Sequence, residues 1–171
     1  MINLIFIIPY PELEEKVNQI FKTHPLRAQL KKRIEMRTAD ELNRFVFNAH
    51  SDVIIARGYT VYGLRRMIPD LPVIELPITA YDLIRSLNEC ISRYAPQKVA
   101  FIGNYAALDD AAELGNIVRC GVQSYYAASV EVVDQVVGQA AADGCTAFIG
   151  GYWVNLCCAR RGLPSGTIQT G

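Results

Sequence analysis

The chain has 171 residues, 51% of them hydrophobic and 20% charged, with 17 basic side chains balanced by 17 acidic ones. That length and apolar content allow one large domain or two small lobes with a buried core. The zero net charge argues against nucleic acid as a partner, because phosphate binding needs a basic face. The first nine residues are apolar but lack a basic start, and Pro9 and Glu12 end the run too early for a signal peptide. No apolar run reaches the roughly 18–20 residues of a membrane span. A cytoplasmic protein with no membrane contact is therefore expected.

Strand and helix alternate along the chain. Residues 2–8 form a near-continuous apolar run, as expected of a strand buried on both faces. Residues 11–24 read as a helix with acids in its first turn, which suits the helix dipole. A less apolar strand at 32–37 carries part of the Lys31-Lys32-Arg33 cluster and belongs near a sheet edge. Thr38 and Glu41 have capping-box spacing, opening a helix that ends near His50. Strands follow at 52–56 and 73–76. Thr79 and Asp82 open another helix, running to about residue 95, with Leu83, Leu87, Ile91 and Tyr94 on one stripe.

The cycle then restarts. A strand is expected at 98–102, a helix at 106–118, a strand at 122–126, and a helix at 130–142 capped by Ser129. The last strands fall at 146–149 and 167–169, with a helix near 154–161 between them. Eight strands in two sets of four imply an α/β fold of two similar three-layer lobes with parallel four-stranded sheets, residues 1–78 and 79–171. A βα fold normally adds a helix after its last strand, so the chain reads as a fragment of a longer protein.

An internal repeat supports the duplication. Residues 54–72 read IIARGYTVYGLRRMIPDLP, and residues 147–164 read AFIGGYWVNLCCARRGLP. With one residue dropped near the end, Gly58 meets Gly151, Tyr59 meets Tyr152, Val61 meets Val154, and Leu71-Pro72 meets Leu163-Pro164. Two similar lobes point to a cleft and a ligand between them.

Parallel α/β sheets bind ligands beyond the carboxyl ends of their strands. The tips here are Pro9-Tyr10, Arg57-Gly58-Tyr59-Thr60 and Pro77-Ile78-Thr79 in the first lobe. In the second they are Gly103-Asn104-Tyr105, Ser129, Gly150-Gly151-Tyr152-Trp153 and Thr170-Gly171. Arg57 is the most telling, because it ends an apolar strand where its fork can hold a carboxylate or phosphate. Its alternative role is to pair with a local acid. Gly58 lets a ligand come close, the next helix start offers N–H groups to an anion, and Thr60 adds a hydroxyl. Gly150 and Gly151 either admit a ligand or serve a tight strand-to-helix turn. Asn104, Tyr59 and Tyr152 complete the candidate ligand-binding set.

No catalytic residue, metal site or cofactor is expected. His24 precedes a proline in a loop, and His50 lies away from the strand tips. The five cysteines show no metal spacing, and no nucleophile elbow, dinucleotide fingerprint or phosphate-loop lysine is present. Two-lobed racemases place a cysteine at a strand tip of each lobe, whereas Cys157 and Cys158 lie inside a helix. The alternatives to a ligand-binding domain are a racemase-, isomerase- or chelatase-like enzyme, or a dimerisation module using valines of the 130–137 helix.

The stretch DVIIARGYTVYGLRRMIPDLPVIELPITAYDLIRSL at 52–87 resembles the N-terminal receptor domain of the propionate-catabolism regulator family. KVAFIGN at 98–104 and DGCTAFIGGYWVNLCCARRGLPSGTIQTG at 143–171 extend the likeness over essentially the whole chain. The resemblance implies a duplicated, chelatase-like architecture ahead of an AAA+ ATPase module and a helix-turn-helix, in sigma-54-dependent transcription activators. It implies a sensor for a small metabolite, a 2-methylcitrate-like polycarboxylate in the propionate regulators, which restrains the ATPase until the signal arrives. Arg57, Gly58, Asn104 and Gly150-Gly151 fall on the family's glycine and strand-tip positions. Nearby, the aromatic side chains of Tyr59, Tyr152 and Trp153 favour a less charged or ring-bearing ligand.

Overall fold

A computed structural model describes residues 1–38, 41–42, 51–109 and 111–168. The chain divides into two units, Met1–Pro77 and Ile78–Gly171. Each carries a four-stranded parallel sheet of the same topology, with helices on both faces.

In the first unit the strands are β1 (Ile2–Ile8), β2 (Leu30–Met36), β3 (Val53–Ala56) and β4 (Val73–Glu75), in the spatial order β2-β1-β3-β4. The two central strands explain the three layers. Side chains alternate across a strand, so Phe6 and Ile8 of β1 meet Leu13 and Val17 of α1 (Pro11–Thr23). Ile5 and Ile7 face the other way, toward Val61 and Leu64 of α2 (Tyr59–Met67) and toward Leu42. The expected edge strand is present, two residues earlier than its sequence pattern suggested. Glu41 accepts a hydrogen bond from the Thr38 amide at 3.0 Å, one half of the expected capping box. The body of that helix and His50 lie outside the described residues.

The second unit repeats the order as β6-β5-β7-β8, with β5 (Lys98–Gly103), β6 (Gly121–Tyr126), β7 (Ala147–Gly150) and β8 (Ser165–Thr167). Val99, Phe101, Ala147 and Ile149 pack with Leu83, Leu87 and Cys90 of α3 (Ala80–Tyr94) and with Ala111 of α4 (Ala111–Val118). Ala100, Ile102 and Phe148 alternate to the opposite face and are fully buried there. That side holds α5 (Val133–Ala142) and α6 (Tyr152–Arg160), whose Val133, Val137, Val154 and Cys158 are buried as well. The capping box at α3 is complete: the Thr79 hydroxyl accepts the Asp82 amide, and the Asp82 carboxylate accepts the Thr79 amide at 2.8 Å.

Several boundaries differ from the sequence pattern. The helix expected at 106–118 is a 3₁₀ turn, Ala106–Leu108, followed by α4. Val130–Val132 is likewise 3₁₀, and Ser129 precedes it without a side-chain capping bond. The last strand lies at Ser165–Thr167, because the Pro164 carbonyl already accepts the Phe148 amide and sets the register. The sheet face that seemed to need a further helix is covered over β7 and β8 by α3, which precedes the unit's first strand.

The repeat now has a structural meaning. Gly58 and Gly151 are the residues that cap α2 and α6, both nine residues long. Ile54 donates to the Pro72 carbonyl at 2.9 Å, and Phe148 donates to the Pro164 carbonyl at 3.0 Å. These equivalent bonds align Ala56 with Gly150, one step away from the gapless sequence match. Two residues separate β3 from α2, but one separates β7 from α6. The extra residue on the first unit's rim is Arg57.

Candidate functional site

All four strands of a parallel sheet end on the same edge. Within that edge a crevice opens where successive connections leave in opposite directions. In the first unit this switch point lies between β1 and β3, since β2 flanks β1 on one side and β3 flanks it on the other. Tyr10 follows β1 and Arg57 follows β3. Arg57 Nη1 donates to Tyr10 Oη at 3.0 Å, so the guanidinium reaches across the crevice.

Arg57 is only 7% exposed, and its Nη2 is buried with no hydrogen-bond partner among the described residues. The arginine ion pairs found there belong to Arg33, Arg37, Arg85 and Arg161. The local acid that would have made Arg57 a packing residue is therefore absent among the described residues. Among the described residues this buried cation is held by a tyrosine hydroxyl alone, which is costly unless an anion joins it.

The neighbouring residues suit such an anion. Gly58 has φ +58°, a backbone state that side chains rarely adopt, and a Cβ there would meet open space. Its carbonyl accepts the Val61 amide, which starts α2 without a side-chain cap. The N-terminal dipole of α2 thus points at the rim beside Arg57. Thr60, in the first turn, is 5% exposed, and Tyr59 is half-buried.

The second unit has its switch point between β5 and β7. Asn104 follows β5, and its Nδ2 is buried without a partner among the described residues. Gly150 ends β7 and Gly151 follows it, and the two are glycines for different reasons. A Cβ on Gly150 would lie 2.5 Å from Val154 Cγ2, so this glycine makes room for α6. A Cβ on Gly151 would touch nothing within 4 Å, which leaves that position open. Tyr152 is exposed and stands edge-on to Trp153, with centroids 5.5 Å apart at 87°.

Two residues outside the expected set complete the geometry. Tyr10 was a strand tip by position, and only the structure makes it the partner of Arg57. Asn155 donates through Nδ2 to the carbonyls of Gly151 at 2.9 Å and Gly150 at 3.3 Å, bracing the turn. The sequence signal for it is an asparagine one helical turn beyond a glycine pair. Thr170 and Gly171 lie outside the described residues.

The competing readings meet specific obstacles. Cys157 and Cys158 sit in α6 beyond its first turn and are buried. Burial raises both thiols, and Cys158 reaches about 12, far from a nucleophile's range. His24 Nδ1 accepts the Leu26 amide in a local turn. Val133 and Val137 are fully buried, so they form no exposed docking face. An open depression of about 510 Å³ is lined by Pro11, Glu14, Glu15, Asn18, Gln19 and Lys22. It runs along α1 alone and includes no strand tip.

The model of the propionate catabolism activator family matches residues 30–171. The chain belongs to this family. It is accordingly a regulatory sensor domain from the setting of sigma-54-dependent transcription activators. Among solved structures, an NtrC-family transcriptional regulator from Clostridium acetobutylicum has a TM-score of 0.79 at 17% identity, over 99% of this chain and 88% of its own. The ABC domain in complex with L-Trp from Streptococcus pneumonia has a TM-score of 0.54 at 11% identity, over 99% and 74%. At these identities the likeness establishes the fold. No curated protein matches the sequence. Among the described residues, no helix is long and apolar enough to cross a membrane.

Proposed function

We propose that both units act together as one cytoplasmic, non-enzymatic sensor domain that binds a small anionic metabolite at its strand tips. Arg57 supplies the charge, the start of α2 and the backbone at Gly58 supply the anion's remaining contacts, and Thr60 adds a hydroxyl. Tyr59, Asn104, Gly151 and Tyr152 contribute at the rims, while Gly150 shapes the turn. Ligand binding shifts the population of conformations and thereby controls an AAA+ ATPase module in the full-length activator. DNA and ATP binding belong to other parts of that protein.

The single observation behind this reading is the buried Arg57 guanidinium, with Nη2 unpartnered and no acid beside it among the described residues. A thermal-shift screen of central metabolites tests it. Ligand at a hundredfold over its Kd stabilises by about 2.7 kcal/mol. Arg57→Ala abolishes the shift of every true ligand, and an unchanged shift refutes the site. Asn104→Ala, measured with the same hit, reports whether one molecule depends on both rims. The control step is read from ATPase activity of the full-length activator with and without that hit.

A further inference from the structure

We propose that the apolar sheet face over β3 and β4 seats an amphipathic helix supplied by the segment that follows residue 171 in the full-length activator. The proposal is independent of the Arg57 site and needs no ligand.

The duplication carries the argument. In the second unit, α3 lies over β7 and β8. Its Leu83, Leu87 and Cys90 share one buried cluster with Ala147, Ile149 and Ile168. Two of its side chains also bond the last strand. Tyr94 Oη donates to the Ser165 carbonyl at 3.2 Å, and Ser86 Oγ donates to the Thr167 carbonyl at 3.5 Å. Under this helix Ile149 is 0% exposed and Ile168 is 2% exposed.

The register that aligns Ala56 with Gly150 also aligns Val53 with Ala147, Ile55 with Ile149 and Ile74 with Gly166. Leu76 matches Ile168, since their amides donate to the Ala56 and Gly150 carbonyls. In the first unit this row is aliphatic throughout, yet Val53, Ile55 and Leu76 are only half-buried and Ile74 is 52% exposed. Ile55 and Leu76 border the cluster beneath α1, so the row lies on that side of the sheet. Leu42, from the β2–β3 connection, and α2 both pack on the opposite side. Right-handed crossovers place both connections there. An apolar row of this kind on a sheet edge favours a cover that removes it from water.

A helix set as α3 is set fits the row. A Cβ on Gly166 would meet nothing within 4 Å, so the same seat leaves room for Ile74. Chain order names the occupant. The helix that follows β4, the first unit's last strand, is α3, yet it packs on the second unit. The repeat of that step is the segment after β8, and its seat is the matching face of the first unit. Its apolar residues then recur at i, i+4 and i+7, as Leu83, Leu87 and Cys90 do.

Thiol labelling of Ile74→Cys in a Cys120→Ser background tests this, read by mass spectrometry on the peptide that carries residue 74. The full-length activator protects this thiol by roughly tenfold or more relative to the 171-residue chain. Serine at the apolar i, i+4 and i+7 positions of the first helix predicted after residue 171 restores fast labelling in the full-length activator. Hydrogen exchange at β4 in the unsubstituted chains gives the same comparison if Ile74→Cys does not fold. Equal rates in the two chains overturn the proposal. Protection that survives the serine substitutions assigns the face to another module and overturns it too. Protection that grows with the concentration of the 171-residue chain assigns the face to a second copy, with the same consequence. None of these outcomes bears on binding at Arg57.

Discussion

Replacing Gly150 with alanine separates a glycine that serves packing from one that serves a ligand. The added Cβ would lie 2.5 Å from Val154 Cγ2, 2.6 Å from its Cβ and 2.8 Å from its Cγ1. Carbon atoms prefer about 3.5–4.0 Å, so α6 or the strand end has to shift by roughly 1 Å. Val154 is 1% exposed and cannot swing into solvent. Overpacking of this kind costs about 1–3 kcal/mol. For a chain of this size that lowers Tm by about 2–4 °C per kcal/mol. Gly151→Ala is the paired control, because its site is open and its φ of −81° suits alanine. It leaves Tm within about 1–2 °C while weakening any ligand that approaches that backbone. Differential scanning fluorimetry and urea titration give both numbers. Val154→Ala in the Gly150→Ala background recovers part of the loss, a coupling that a double-mutant cycle isolates. A Gly150→Ala protein with unchanged stability but lost binding refutes the packing argument.

Other expectations follow from single contacts. Gly138 lies within α5, and a Cβ there meets the Arg161 guanidinium at an ordinary 3.5 Å. Gly138→Ala therefore stabilises by about 0.5–1 kcal/mol, read from the urea midpoint. Asp52 accepts the backbone amide and the side-chain amide of Asn3, which hold its carboxyl below the usual 3.8. Its contribution is present above 3.8 and fades as pH falls through the lower folded value, so Asp52→Asn is less stable than the parent at about pH 6, and the gap is narrower at about pH 3. Urea titrations at both pH values check this, and a constant gap counts against it. Burial raises the thiol of Cys90 to about 11 and that of Cys158 to about 12, whereas Cys120 is half-exposed. A disulfide reagent acting on the native chain labels Cys120 first and the buried thiols only in denaturant. Prompt labelling of Cys90, Cys157 or Cys158 contradicts the packing of α3 and α6.

Local chemistry made much of the fold readable. Continuous apolar runs marked β1 and β5, because central parallel strands are buried on both faces. Thr79 and Asp82 announced α3 through a capping pair that needs no distant contact. The repeated glycine and Leu-Pro positions marked the same turn and the same strand entry twice. Short terminal strands and 3₁₀ turns were less legible, since three residues carry almost no periodicity.

The site divided along the same line. Sequence placed Arg57 and Gly58 at a strand tip, because chain order and strand direction suffice for that. It could not tell that Ala56, rather than Arg57, matches Gly150, since register depends on hydrogen bonds to another strand. It could not pair Arg57 with Tyr10, 47 positions away, or show that Nη2 stays unsatisfied among the described residues. Nor could it separate Gly150 from Gly151, adjacent and identical in type, because the difference is a neighbouring valine in space. Periodicity, caps and glycines are written within a few residues. Burial, register and the company a charge keeps arise only when distant segments pack.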